Sequence, residues 1–414
     1  MSLKNIRFIH AADLHLDSPF TGLRQLPAEI FERVRNSTFK AFETMADFAI
    51  ENKIDFLLAS GDLYDGEDRS LKAQVRLRSQ FERLREAGIE VFVLHGNHDH
   101  LGGAWTKMPM PPNVHIFSDK VESKTFTAEN GTTVKLYGFS YPKRHVFDQK
   151  ILEYHNEGNA DFHIGMLHGY CEGGSIRHQP YAPFSLRELL AKKMDYWALG
   201  HIHQRQILHE QPFIIYPGNI QGRNRKETGS KGCMLVDMNE FSTHVAFLET
   251  ADVIWEQLKV SAKGLEAFHD LYSVCREKLE EIRKQTQAVL IDLEIEETGN
   301  LGTEALEKIN NGELLEVLQE GEESAPNFVW PHHITLNRPE SVPQLKEYEF
   351  ISREMKHTAA ELADEEAFAR AISPLYSHVY ASRYLRRITE EEKKQLLSEA
   401  EAVAFSRIRE EGCK

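Results

Sequence analysis

The sequence contains no run of about eighteen apolar residues, so nothing in it reads as a membrane-spanning helix. Its start, MSLKNIRFIH, lacks the apolar stretch and cleavage signal of a secretory leader, and we expect a cytoplasmic protein with no membrane partner. Cysteine is scarce. Cys171, Cys233, Cys275 and Cys413 are scattered without a C-x-x-C pair, which argues against a zinc ribbon and a disulfide framework. Positive charge is also short: 64 acidic residues against 49 Lys and Arg leave a formal charge of -15, which counts against tight, unaided binding to a phosphate backbone. The excess is uneven, with acidic residues crowded into 294–323 and 390–411.

Histidine is what the chain has in quantity, twenty residues with several in tight groups behind apolar runs. At 414 residues the chain exceeds one ordinary core. Short apolar runs alternate with amphipathic stretches, the pattern of an α/β domain. The runs predict strands at 6–12, 54–60, 91–96, 134–140, 162–168 and 196–200, with helices near 28–52, 70–87 and 185–193. Runs at 213–218, 233–238 and 244–249 read as antiparallel strands finishing a sheet. Beyond residue 250 the order is strand (253–260), helix (264–284), strand (288–296), helix (302–319), strand (328–336). Pro339 and Pro343 then mark a linker before helices near 357–372 and 389–410.

Five motifs follow the strands of the first part: Asp13-Leu14-His15, Gly61-Asp62, Gly96-Asn97-His98-Asp99, His168-Gly169 and Gly200-His201-Ile202-His203. Ligands collect outside the carboxyl ends of strands in open α/β sheets, where loops converge on one crevice. Alternation lets Asp13 act with His15, and His201 with His203, on one site. Carboxylates, imidazoles and an Asn carbonyl suit manganese, iron or zinc. The set exceeds the roughly four ligands of one metal, so two ions fit better, about 3.5–4 Å apart and bridged by a carboxylate, for which Asp62 is the candidate.

The segments HAADLHLDSPF (10–20), ASGDLYD (59–65), HGNHD (95–99), LHGY (167–170) and LGHIH (199–203) carry a resemblance to the calcineurin-like metallophosphoesterases. Among these the chain is similar to the SbcD-type DNA exonucleases, in a YhaO-like branch. The resemblance implies an α/β fold of two packed mixed β-sheets flanked by helices in four layers, within residues 1–250. A small α/β capping-like domain (251–338) and a helical, partner-binding C-terminal region (339–414) would follow. It also implies two divalent ions, manganese first and iron or zinc as alternatives. Asp13, His15, Asp62 and His203 would hold one ion, and Asp62, Asn97, His168 and His201 the other. His98 would serve the leaving oxygen, with Asp99 fixing its orientation. The implied activity is hydrolysis of DNA phosphodiester bonds, exonuclease or endonuclease, in DNA repair. The implied partners are DNA, an SbcC-like coiled-coil ATPase docked on the C-terminal region and a second copy of the chain.

Asp65 departs from the pattern, standing where many DNA-acting relatives carry histidine, and is left out of the catalytic set. The basic loop 218–226 offers Arg223, Arg225 and Lys226, with Lys231 and Arg205 nearby, as phosphate contacts. Tyr376, Tyr380, Tyr384, Leu385 and Ile388 follow helical spacing, as a stripe for a partner helix or for the chain's own core. Acidic charge favours a second reading, a two-metal phosphodiesterase or phosphatase acting on nucleotides or other phosphoesters.

Overall fold

A computed structural model describes residues 3–400 except 21, 24, 67–69, 104, 105, 107, 173–180, 285, 286, 338–348, 378–387, 395, 398 and 399. The apolar runs Asn5–Ala11 (β1), Phe56–Ser60 (β2) and Glu90–Leu94 (β3) pair in parallel, with Val114–Ile116 (β4) beside β3. Strands buried on both faces need apolar residues at successive positions, which is why these read as unbroken runs. Gly232–Asn239 (β11) and Thr243–Glu249 (β12) complete the sheet antiparallel on the β1 edge, in the order β12-β11-β1-β2-β3-β4.

The second sheet holds Glu122–Thr127 (β5), Thr133–Gly138 (β6), Phe162–His168 (β7), Tyr196–Gly200 (β8), Gln206–Glu210 (β9) and Phe213–Tyr216 (β10), in the order β5-β6-β7-β8-β10-β9. Here one expectation fails. The run at 213–218 does not pair with 233–238; β10 lies parallel to β8 and antiparallel to β9, so the chain changes sheets between Tyr216 and Gly232. Strands β4, β5 and β9 are also new. β5 and β9 lie at sheet edges, where one side faces solvent and polar residues are tolerated, so ESKTFT and QILHE carry little apolar signal.

The sheets pack face to face through Phe8, Phe56, Leu58, Phe92 and Leu94 of one and Leu136, Ile164, Met166, Tyr196 and Ala198 of the other. Each fully buried Phe, Leu, Ile or Met among them contributes about 1.5–3 kcal/mol relative to exposure. Ala28–Glu51 (α1) and Leu71–Glu86 (α2) cover the outer face of the first sheet with Phe42, Met45, Leu77, Phe81 and Leu84, which recur at helical spacing. Ser70 starts α2 by accepting from the Ala73 N–H at 3.0 Å. Leu186–Ala191 (α3) covers the other side with Leu189, against Tyr154 and Trp197.

Val253–Ser261 (β13), Ala288–Glu296 (β14) and Val329–Leu336 (β15) form a parallel three-stranded sheet. Phe268–Arg283 (α4), Thr303–Asn310 (α5) and Glu313–Gln319 (α6) cover it. The expected helix at 302–319 is two, because Gly312 at φ 92° ends the first and opens the second. The opposite face packs Trp255, Leu290 and Trp330 onto Phe20, Leu23, Ile30 and Val34. This sheet therefore belongs to one compact unit with the strands above, Met1–Glu296 and Asn300–Leu336.

The second unit comprises Glu297–Gly299 and Asn337–Lys414. It holds Glu349–Leu362 (α7) and Glu365–Ser377 (α8) instead of one helix at 357–372; Asp364 starts the second by accepting from the Glu366 and Ala367 N–H groups at 3.1 Å. Tyr380, Tyr384 and Leu385 of the proposed stripe lie outside the described residues. No helix among the described residues is long and apolar enough to cross a membrane.

Candidate metal centre

The five motifs leave β1, β2, β3, β7 and β8 at their carboxyl ends, three from the first sheet and two from the second. Four of the side chains sit on left-handed backbone: Asp13 at φ 52°, His15 at 42°, Asp62 at 51° and His201 at 102°. Non-glycine residues adopt this region only when neighbouring structure holds them there, at about 1–3 kcal/mol each. The Asp13 N–H donates to the Gly61 carbonyl at 3.1 Å and the His15 N–H to the Asp62 carbonyl at 3.0 Å, tying the first loop to the second. A Cβ at Gly61 would stand 2.3 Å from His168 Nδ1, and one at Gly96 would stand 2.3 Å from Asp62 Oδ1. No other residue lets the loops approach this closely.

The side chains meet across nearly two hundred positions of sequence. His15 Nε2 and His203 Nε2 are 3.1 Å apart. His168 Nε2 lies 3.1 Å from Asn97 Oδ1 and 3.4 Å from Asp62 Oδ2, which is 3.8 Å from His15 Nε2. Asp13 Oδ1 is 4.0 Å from both His203 Nε2 and His168 Nδ1, and its carboxylate accepts from the His201 N–H at 3.0 Å. The His201 ring packs against the His168 ring with centroids 5.2 Å apart. Asp13–His15–His203 and Asp13–Asp62–His168 each bring one ligand atom per residue within 4.8 Å of the others, with Asp13 common to both groups.

Asp13 and Asp62 are buried, and among the described residues neither is paired with a lysine or arginine. Two buried carboxylates facing imidazoles and an amide oxygen are a donor set that divalent cations fit, because such charges are stable inside a protein only when compensated. Titration behaviour follows. Burial pushes Asp13 above its ordinary range, against the pull of His203 and His168. Burial opposes charge on Asp62 too, yet His168 and His15 hold it well below. Burial disfavours the His168 cation, but Asp62 and Asp13 raise it to about 9, whereas burial and the nearby Arg223 charge lower His15 to about 3.

Residues 6–205 match the family model of the calcineurin-like phosphoesterases. The chain is also 46% identical over 331 residues to the protein named uncharacterized metallophosphoesterase YhaO of Bacillus subtilis (strain 168), covering 80% of this chain and 81% of that one. This chain is a calcineurin-like metallophosphoesterase. More distantly, the phosphoesterase is 24% identical over 308 residues to the DNA double-strand break repair protein Mre11 of Thermoplasma acidophilum, covering 69% of this chain and 76% of that one. To the protein of the same name from Methanocaldococcus jannaschii it is 27% identical over 279 residues, covering 64% and 71%.

Around the phosphoesterase's central cluster of side chains lies a charged outer layer that the motifs do not announce. Asp65 Oδ1 stands 2.9 Å from His15 Nδ1, and Glu227 Oε1 stands 2.9 Å from His203 Nδ1. Arg223 joins the two carboxylates, with Nη1 2.5 Å from Asp65 and Nη2 3.1 Å from Glu227. Burial alone would push Glu227 up; His203 and Arg223 hold it far below the carboxylate range instead. Glu227 and Asp65 keep Arg223 charged against burial. Asp65 is thus part of the site although its motif position suggested leaving it out, and Glu227 was not foreseen. Its one sequence signal is a lone acid in an otherwise basic loop.

Placement also revises the phosphate contacts. Arg223 is engaged inward, and Lys231 is buried and donates from Nζ to the His203 carbonyl at 3.1 Å. Arg205 is exposed and lies over the Phe247 ring at 3.9 Å, and exposed Arg225 reaches 3.9 Å from Asp292. Lys226 is exposed. Asp99 accepts from the Gly96 N–H at 2.7 Å and the Leu63 N–H at 3.0 Å and meets His95 Nδ1 at 2.9 Å, so it ties the third loop to the second. The carboxylate found beside His98 is that of Asp65, 4.0 Å from Nδ1. His98 itself keeps 34% of its side chain exposed at the rim, while its N–H donates to Asp62 Oδ1 at 2.9 Å.

Proposed function

We propose that this phosphoesterase hydrolyses phosphodiester bonds in DNA with two divalent ions, manganese first, as an exonuclease or endonuclease of DNA repair in the cytoplasm. The observation that carries this reading is the convergence of buried Asp13, His15, Asp62, Asn97 and His168 with His203, next to a solvent-facing His98. Names of relatives that concern DNA double-strand break repair support the substrate.

Asp13, His15, Asp62 and His203 hold one ion, and Asp62, Asn97, His168 and His201 the other. Bound divalent ions lower the pKa of a water nucleophile and neutralise charge on the phosphoryl oxygens. Asp62 is the shared carboxylate, oriented by the His98 N–H. His98, whose ring meets His15 edge-on at 4.9 Å, delivers a proton to the departing oxygen from the open side. Residues 251–338 act as a cap over the nuclease part, 1–250. Residues 339–414 dock on an SbcC-like coiled-coil ATPase, and the enzyme works as a homodimer.

Purified protein with manganese should cut labelled single- or double-stranded DNA, and chelation should stop it. No cleavage, even with the cognate ATPase and ATP, rejects the reading. The net charge of -15 and the inward pairing of Arg223 and Lys231 favour a second reading, hydrolysis of nucleotides or other small phosphoesters. Turnover of cyclic nucleotides or bis-p-nitrophenyl phosphate far above that of DNA would establish it.

A further inference from the structure

One surface element beside the metal centre has no role in the scheme above. The segment Pro142–Asp148 carries Lys143, Arg144 and His145 at exposed positions, then buried Val146, then Phe147 with 59% of its surface exposed. Val146 anchors the segment, since its carbonyl accepts from the Ala182 N–H at 2.7 Å. Alternation then turns His145 and Phe147 to the same outward side. Their rings lie parallel, 2° apart, with centroids at 6.0 Å. Tyr181 supports both: its ring is 5.4 Å from His145 and 5.7 Å from Phe147, and its hydroxyl is 2.8 Å from His145 Nδ1. The Tyr181 ring in turn packs on the His201 ring at 5.6 Å.

A single exposed phenylalanine is ordinary on a protein surface. This one is the outer member of a ring column, Phe147 to Tyr181 to His201, that ends on a proposed metal ligand, with Lys143 and Arg144 exposed in the same segment. We propose that Phe147, backed by Tyr181 and His145, is a stacking platform for an unpaired nucleobase next to the scissile phosphate. The proposal rests on the phosphodiesterase reading and narrows its substrate to strands with unstacked bases. Aromatic faces take any base, because every base has a π-face, and adjacent cations follow the backbone, so recognition here is independent of sequence. Duplex DNA offers its bases only where the end frays or the strand is single.

The test uses the full chain with calcium replacing manganese and a fluorescent single-stranded oligonucleotide, with a matched strand carrying abasic positions. Phe147→Ala should weaken binding of the intact strand roughly 5- to 150-fold, the worth of one stacked base, whereas Phe147→Trp should retain it. Abasic substitution should weaken wild type and leave Phe147→Ala almost unaffected. Manganese content by elemental analysis should be equal in all three proteins, which shows that the metal centre is intact. Equal binding of intact strand by wild type and Phe147→Ala, no binding by wild type, or equal loss on abasic substitution in both would overturn the platform. Loss of manganese-dependent hydrolysis by wild type rejects the hydrolase reading instead, and the binding comparison still reads separately.

Discussion

His15 and His203 point their Nε2 atoms at each other across 3.1 Å, and each has a carboxylate 2.9 Å behind its Nδ1, Asp65 and Glu227 respectively. A carboxylate behind a ligating imidazole fixes the tautomer and ring orientation, leaving Nε2 for the metal. Arg223 holds the two carboxylates together. Asp65→Asn and Glu227→Gln should each weaken manganese binding about 10- to 100-fold, the usual worth of such partners, as read by titration calorimetry. Arg223→Met leaves two part-buried carboxylates facing only the imidazoles of His15 and His203 and should lower the urea midpoint of unfolding. Unchanged affinity in both carboxylate variants would show that the outer layer does not act through the imidazoles.

The central carboxylate and the rim histidine should separate. Asp62→Ala should lose both ions by elemental analysis, because Asp62 lies within 4 Å of His15 and His168. His98→Ala should keep both and lose about 10²- to 10⁴-fold in turnover, the range for a general acid. A fully loaded Asp62→Ala protein would refute the shared-ligand assignment.

Gly96→Ala tests the close approach of the loops. The added methyl would meet Asp62 Oδ1 at 2.3 Å and His168 Nε2 at 2.7 Å, and neither buried side chain has room to retreat. Manganese loading should fall as steeply as in Asp62→Ala. Retained binding would mean that the strand ends shift at little cost.

His10 lies on β1 between the sheets, where Nε2 faces the Leu199 carbonyl and Nδ1 faces the Tyr196 hydroxyl, both at 3.0 Å. The carbonyl only accepts, so Nε2 carries the proton and Nδ1 accepts from Tyr196, which satisfies the neutral ring. Burial lowers its pKa from 6.5 to about 3. The folded value is depressed, so the stability from the neutral ring is present above pH 6.5 and is lost as pH falls toward 3. At pH 5 the loss is about 2 kcal/mol. Urea midpoints at pH 7 and pH 5 should diverge more in wild type than in His10→Gln. An equal shift in both would remove His10 as the source.

Much of the layout was readable from residue order because its physical causes are local. Parallel strands covered on both faces need unbroken apolar runs, and β1, β2, β3, β7 and β8 stand where those runs are. The Asp, Asn and His motifs sit directly after them, so the residue types that gather at the strand ends were legible too. Gly312, which divides α5 from α6, is a helix-ending signal within the predicted helix. The edge strands β5 and β9 were not legible, since their cross-strand partners, and not their composition, make them strands.

The order of residues by itself determined the chemistry offered at each strand end. Only the tertiary structure decided which charges meet there. Asp65 and Arg223 are 158 positions apart, one set aside from the catalytic set and the other read as a phosphate contact, yet they form a part-buried ion pair behind the candidate metal site. A carboxylate or guanidinium states its charge locally, but its role depends on what folding brings within about 4 Å, where Coulomb energy in a water-poor pocket outweighs anything encoded by neighbours in sequence.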